Sequence, residues 1–185
     1  MNWIHRRICK SEKWAAAAES SLLPWALDGV DLGADILEIG PGFGVTTELL
    51  TRRPGSVTAL EVDRDSVDYL RDRFHDRVDV VHGDGARMPL PDNAFSAATC
   101  FTMLHHVPSP ELQDRLFAET RRVLRPGGVF AGTDSLPSLR FRMIHIGDTM
   151  VTVDPDTLPD RLRAAGFTNV EVTVGAHRFR FRAQY

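Results

Sequence analysis

The sequence predicts a doubly wound α/β fold, a mostly parallel sheet with helices on both faces, and three observations carry that prediction. Short apolar runs alternate with helical patterns along the chain, as they do where crossover helices link parallel strands. The segment Asp35-Ile-Leu-Glu38-Ile-Gly40-Pro-Gly42-Phe-Gly44 reads as a buried strand that enters a glycine turn and then a helix starting near Phe43. Acids stand at three strand mouths, Glu38, Glu61 and Asp84, which in such a sheet share one edge.

Each element follows in order. Trp3, Trp14 and Trp25 surround a helix-favouring run at Ala15–Ala18, which fits either a lid over the glycine turn or a helix on the sheet edge with its tryptophans in the core. Leu49 and Leu50 belong to the helix after the turn, and Val57–Leu60 forms a second strand closing on Glu61. Val67, Leu70 and Phe74 mark one face of the next helix, and Val80-Val-His82 is a short third strand before Gly83-Asp84-Gly85-Ala86. A fourth strand closes on Cys100 and Phe101. Leu112, Leu116 and Val123 stripe a longer helix that Ser109 caps and Pro126-Gly127-Gly128 ends, and Val129–Thr133 is the fifth strand. A further helix runs near Thr157–Ala165, with Gly166 as its stop. Val170–Val174 and Arg178–Arg182 alternate with period two across Gly175-Ala176, a C-terminal antiparallel hairpin that completes seven strands. Arg178, Arg180 and Arg182 are read as the polar face of that last strand rather than a phosphate track, because Phe179 and Phe181 supply the buried face.

The composition sets bounds. With 185 residues and 43% hydrophobic content the chain can bury one sizeable core, as a single domain. A formal net charge of −3 does not advertise a nucleic-acid partner. Cys9 and Cys100 show neither metal-ligand nor disulfide-framework spacing, so no metal is expected and a reducing cytoplasm is the natural setting. The N-terminal residues are broken by charges and hold no long apolar run, so neither a membrane span nor a signal peptide is expected.

The glycine turn and its acids point to a ligand. A dinucleotide fingerprint needs G-x-G-x-x-G, whereas this chain has G-x-G-x-G, with Val45 where the third dinucleotide glycine would stand. Glu38 is placed to hold a cationic ammonium, and Glu61 to accept two ribose hydroxyls. Asp63 is the rival to Glu61, set aside because Glu61 comes first after the apolar run. Asp84 is placed to accept an exocyclic adenine amine.

With those residues the chain resembles the class I S-adenosylmethionine-dependent methyltransferases, of the small kind related to the ubiquinone and menaquinone methyltransferases. The resemblance runs from about residue 35 to 133. Its marks are LEIGPGFG at 37–44, the acid Glu61, GDGARMPLPDNAFS at 83–96, MLHHV at 103–107 and RVLRPGG at 122–128. It implies a Rossmann-like sheet whose last strand inserts antiparallel, with S-adenosyl-L-methionine as cofactor and S-adenosyl-L-homocysteine as product. It implies that Glu38, Gly40 and Gly42 surround the methionine part of the cofactor and that Glu61 holds the ribose. Asp84, with the backbone of Gly85 and Ala86, would hold the adenine, and Cys100 and Phe101 would face the methionine part through backbone groups. One departure is Ser96, where the family usually has Asp; the position is read as structural.

The chain then divides into a helical lid at 1–30, a cofactor-binding half at 31–133, a substrate-side connection at 134–155 and a C-terminal helix and hairpin at 156–185. The connection carries Arg140, Arg142, Met143 and His145, and with the N-terminal segment it is what remains to build an acceptor site. The acceptor is read as a small molecule with an O, N or C nucleophile. His105, His106 and His145 are candidate bases for a hydroxyl acceptor, each also open to reading as a packed, hydrogen-bonded histidine. The segments 37–44 and 60–63 also resemble the ribosomal RNA adenine dimethyltransferases, but Phe101-Thr-Met-Leu104 stands where those enzymes carry an Asn-Pro-Tyr-like tetrapeptide. A cofactor-binding protein without turnover is the third reading, and the sequence does not fix the oligomeric state.

Overall fold

The computed structural model describes residues 3–185, with the backbone alone at 4, 5 and 140. Arg140, counted among the cations of the connection, therefore lies outside the described side chains. Seven strands form one sheet: β1 (Asp35–Ile39), β2 (Ser56–Glu61), β3 (Asp79–His82), β4 (Phe95–Phe101), β5 (Leu124–Ser135), β6 (Thr168–Val174) and β7 (Arg178–Gln184). Their order is β3-β2-β1-β4-β5-β7-β6. The first five strands pair in parallel, and β7 enters antiparallel between β5 and β6. The sequence therefore predicts the strand count, the direction of the hairpin and the doubly wound plan correctly.

Period-two burial explains why the sheet is covered on both faces. In β1, Leu37 and Ile39 pack with Phe117, Phe130 and Phe167 on one face, while Ile36 packs with Leu50, Val67 and Phe74 on the other. The first face is covered by α6 (Pro110–Val123) and α8 (Leu158–Ala164). The second is covered by α4 (Val45–Leu50), α5 (Arg64–Phe74) and the N-terminal helices α2 (Glu12–Ala17) and α3 (Leu23–Ala26). A π-helical turn at Ala18–Leu22 joins α2 to α3, and α1 (Trp3–Cys9) precedes them. The chain direction puts the carboxyl ends of β1 to β5 on one edge, the edge where doubly wound sheets bind ligands.

The helix ends follow local chemistry. Ser109 Oγ accepts the Leu112 amide at 3.3 Å at the start of α6, and Gly166, at φ +93°, follows α8. Asp63 caps α5, its Oδ1 accepting the Ser66 amide at 2.8 Å. Ser96 holds strand to strand: its hydroxyl accepts the Asp35 amide at 2.9 Å and lies 2.7 Å from the Leu32 carbonyl. The C-terminal arginines are bound within the fold, Arg180 donating to the Trp25 carbonyl at 2.5 Å and Arg182 pairing with Glu171 at 2.6 Å. Phe179 and Phe181 fill the core behind them.

Candidate cofactor and acceptor site

The glycine turn after β1 is set by backbone geometry. Gly40, Gly42 and Gly44 all have positive φ, and at Gly44 an added Cβ would come within 2.5 Å of the Phe74 ring. Glycine there lets the turn close on α5. At Gly42 an added Cβ would meet nothing within 4 Å, so the turn presents bare backbone to open space on that side. That space is a cavity of about 640 Å³. It lies within the roughly 300–1,000 Å³ range of pockets that enclose drug-sized ligands.

Most of the expected residues meet at this cavity. Gly40, Gly42, Glu61, Asp84, Gly85 and Phe101 line it, and so do His105, His106 and His145. Glu38, Ala86 and Cys100 do not reach its wall. Cys100 is fully buried in the core. The Ala86 amide donates to Asp84 Oδ1 at 2.8 Å and so shapes the loop that presents Asp84. Glu38 is buried behind the turn, where the hydroxyls of Thr46 and Thr47 donate to its two oxygens, each at 2.5 Å. Thr46 itself lines the cavity, so one side chain separates Glu38 from it. Burial pushes the Glu38 carboxyl up to about 7, against the two hydroxyl bonds that pull it down.

Glu61 closes β2 in the position predicted for it. Its carboxylate accepts amides from Gly42 at 3.1 Å and from Val62 and Asp63 at 2.9 Å each. Burial raises its pKa despite those bonds. Asp63 also lines the cavity, but its side chain is engaged as the cap of α5.

Three further segments complete the cavity, two of them at the end away from the glycine turn. A 3₁₀ turn at Leu104–His106 follows β4, and α7 (Leu139–Ile144) comes from the connection after β5. His105 Nδ1 lies 2.6 Å from Asp134 Oδ1, and both groups are buried. His145 Nδ1 lies 2.8 Å from the Phe141 carbonyl, and its Nε2 is 3.2 Å from His105 Nε2. Burial lowers the His145 pKa, with His105 adding to the effect. Val107, Pro108, Leu112, Phe141 and Ile144 give this end apolar walls.

The third segment is α1, which covers the glycine turn. Lys10 Nζ sits 4.4 Å from the Phe43 ring centroid and 4.9 Å from that of Tyr69, contacts of cation–π type. Arg6, Ile8, Cys9 and Trp14 line the cavity. Burial pushes the Cys9 thiol up to about 11, so it stays protonated and is no nucleophile at neutral pH. Thr46, Thr47 and Asp134 carry no local sequence signal of a role in the site. Their signal is spatial: two hydroxyls one helical turn from the glycines, and an acid one residue past the fifth predicted strand.

A mostly parallel sheet in this order with an antiparallel last strand inserted, a glycine turn at its carboxyl edge and an acid closing the second strand define a cofactor-binding methyltransferase domain. The profile of the methyltransferase domain family matches residues 37–132, and the chain belongs to that family, within the class I S-adenosylmethionine-dependent methyltransferases. It is 38% identical over 98 residues to a probable S-adenosylmethionine-dependent methyltransferase of Mycolicibacterium smegmatis, covering 53% of this chain and 37% of that protein. It is 35% identical over 108 residues to a fatty-acid O-methyltransferase of the same organism, covering 57% of this chain and 38% of the relative. A ribosomal RNA small subunit methyltransferase A of Synechococcus is 43% identical over 81 residues, which cover 41% of this chain and 29% of that protein. The chain thus spans less than two-fifths of the length of these curated relatives. Among solved structures, a possible histamine N-methyltransferase of Thermotoga maritima superposes with a TM-score of 0.76 over 100% of this chain and 99% of that one, at 20% identity, and shares the fold.

Proposed function

We propose that this chain moves the methyl group of S-adenosyl-L-methionine to an O, N or C nucleophile of a small acceptor with an apolar body, releasing S-adenosyl-L-homocysteine. The carrying observation is a single cavity that runs from the glycine turn and Glu61 to an apolar pocket around three histidines. The bound cofactor supplies an electrophilic methyl on a sulfonium, which needs no further activation. The chain's own task is then orientation and exclusion of water, which are worth roughly 7–11 kcal/mol of a barrier when the reacting atoms are held in line.

In this reading Gly40 and Gly42 let the methionine part lie on the main chain. Glu38 acts from behind the turn through Thr46 as a counter-charge for the ammonium. Glu61 takes the ribose. It already accepts three amides, so a diol would share or displace the bond from Gly42. Asp84 and the Gly85 amide take the adenine, with Ala86 holding Asp84 in place, and the backbone at Phe101 closes the methionine side, with Cys100 buried behind it. The 134–155 connection and α1 flank the acceptor end, with His105, His106 and His145 facing the acceptor. The resemblance of LEIGPGFG at 37–44 and MLHHV at 103–107 to the small quinone-type enzymes guides the choice of first acceptors. The two free cysteines support a cytoplasmic setting. No helix among the described residues is long and apolar enough to cross a membrane.

The likeness to a ribosomal RNA methyltransferase favours RNA as the second reading. Against it stands the turn after β4, where Phe101-Thr102-Met103-Leu104 provides no amide side chain to position an adenine amine. Methyl transfer from labelled cofactor to a metabolite extract, with purified RNA in parallel, separates the two. Label in small molecules alone supports the proposal, and robust methylation of RNA at low salt rejects it.

A further inference from the structure

We propose that His105, His106 and His145 form a binding site for a divalent transition-metal ion of the zinc type at the acceptor end of the cavity. The use of such an ion rests on the acceptor reading above, but its binding does not.

The argument starts from where the ring protons must be. Asp134 accepts the backbone amide of His105 at 2.9 Å and its own neighbour's amide, that of Ser135, at 2.6 Å, so the carboxylate serves as an acceptor on both oxygens. His105 Nδ1, 2.6 Å from the same carboxylate, is then the donor. The Phe141 carbonyl can only accept, so His145 Nδ1, 2.8 Å away, is also a donor. A neutral imidazole with its proton on Nδ1 carries a lone pair on Nε2. With both rings neutral, two buried lone pairs therefore face each other across 3.2 Å. Such a pair repels unless a cation lies between.

A metal ion fits that gap in detail. Two nitrogens bound at about 2.0–2.1 Å to a tetrahedral centre lie about 3.3 Å apart, close to the spacing found here. One ring nitrogen of His106 completes the set, since one ligand atom from each of the three residues lies within 4.8 Å of the others. The partners on the far side of the rings match what metal-bound imidazoles require. Such rings donate their other N–H to a carboxylate or a backbone carbonyl, which fixes the tautomer and aims the ligand nitrogen, and Asp134 and Phe141 provide one of each. Three imidazoles leave a fourth position open, the arrangement of catalytic rather than structural zinc, and an all-nitrogen set favours zinc, cobalt, nickel or copper over magnesium or calcium. All three histidines line the cavity, so the ligand class for the open position is an acceptor that carries a hydroxyl, thiol or amine.

Sequence spacing conceals this site. His105 and His106 are adjacent, but His145 is 40 residues from His105 and reaches it only because the 3₁₀ turn after β4 meets the end of α7.

The test uses the full chain, stripped with chelator and titrated with Co²⁺ and then Zn²⁺, with cofactor affinity measured by calorimetry on the same samples. The expected result is one Co²⁺ per chain with the intense visible bands of tetrahedral coordination, displaced by Zn²⁺. His145→Ala and the half-buried His106→Ala should each weaken binding by at least about 100-fold, and Asp134→Asn by about 10–100-fold, the range found for outer-shell partners of metal ligands. His82→Ala, at an exposed site away from the cluster, should change nothing. A wild-type chain that binds no Co²⁺, as a proton shared between the two rings would predict, overturns the proposal. So does binding that survives both His106→Ala and His145→Ala. Loss of metal binding with S-adenosylmethionine binding intact leaves the cofactor reading standing, whereas absent cofactor binding in the wild type fails that reading and leaves the metal result to be judged separately.

Discussion

Glu61 accepts the amides of Gly42, Val62 and Asp63, while Asp63, two residues on, spends its carboxylate on the first turn of α5. Their substitutions should therefore separate. Glu61→Ala should weaken S-adenosylmethionine binding by about 1–3 kcal/mol through unpaired polar groups. Asp63→Ala should leave affinity nearly unchanged and lower stability by about 0.5–2 kcal/mol through the lost cap. Calorimetry and thermal melts on the two variants check this, and a costlier Asp63 change in binding would place the ribose acid two residues later. Glu38 gives a pH signature. Its pKa is raised from 4.5 to about 7 by burial, so between those values the folded state holds a proton that the unfolded state has lost. Stability therefore falls as pH rises through that window, by roughly 3 kcal/mol at about 1.4 kcal/mol per unit. A cationic cofactor reverses the balance by favouring the carboxylate, so its affinity should rise, with proton release, as pH climbs towards about 7 and level off above it. Calorimetry in buffers of different ionisation enthalpy reads that proton, and Glu38→Gln should abolish the pH dependence.

At the scale of elements, much of the chain is legible because local chemistry and packing agree. The alternating apolar runs become the strands, Ser109 caps α6, and Gly166 follows α8. Two boundaries move. The helix after the glycine turn, α4, begins at Val45 rather than near Phe43, because Gly44 is the left-handed residue that closes the turn. The fifth strand extends back to Leu124 through Pro126-Gly127-Gly128, where Phe95 pairs with Leu124 across a bulge that no periodicity reveals. The acids at the strand ends are readable because the sheet places successive strand ends together. The contact between His105 and His145 depends on how a loop and a short helix fold back, so nothing local encodes it. Gly44 offers the test at this scale. A methyl there meets Phe74 at 2.5 Å and Leu70 at 2.8 Å, on top of its φ of +73°. Gly44→Ala should lower stability by about 1–3 kcal/mol and weaken cofactor binding with it, whereas Gly42→Ala, with open space before it, should lose binding more than stability. Denaturant melts beside calorimetry distinguish the two glycines.

For the molecule as a whole, the N-terminal segment divides between the core and the cavity, and none of its three tryptophans is fully buried. Ala18, Leu22, Leu23, Ala26 and Leu27 belong to the core beneath the sheet, and Trp25 lies against Arg180 of β7, its ring centroid 5.4 Å from the guanidinium carbon. Trp3 is exposed, and α1 with Trp14 borders the cavity. Residues 1–30 are therefore not a detachable lid, although α1 is placed to be one. Two truncations should differ sharply. Removing residues 1–10 strips α1 and its Lys10 contacts with Phe43 and Tyr69 but leaves the apolar core intact. That chain should fold, bind S-adenosylmethionine more weakly and transfer methyl slowly, since water then enters the site. Removing residues 1–30 also takes Leu22, Leu23 and Leu27 out of the core. At about 1.5–3 kcal/mol for each buried leucine, that loss is comparable to the whole stability of about 5–15 kcal/mol of an ordinary domain. The longer truncation should fail to fold. Circular dichroism melts and turnover on both proteins check the division. A shorter truncation with unchanged affinity and turnover would remove α1 from the site, and a well-folded longer truncation would show that α2 and α3 are dispensable to the core.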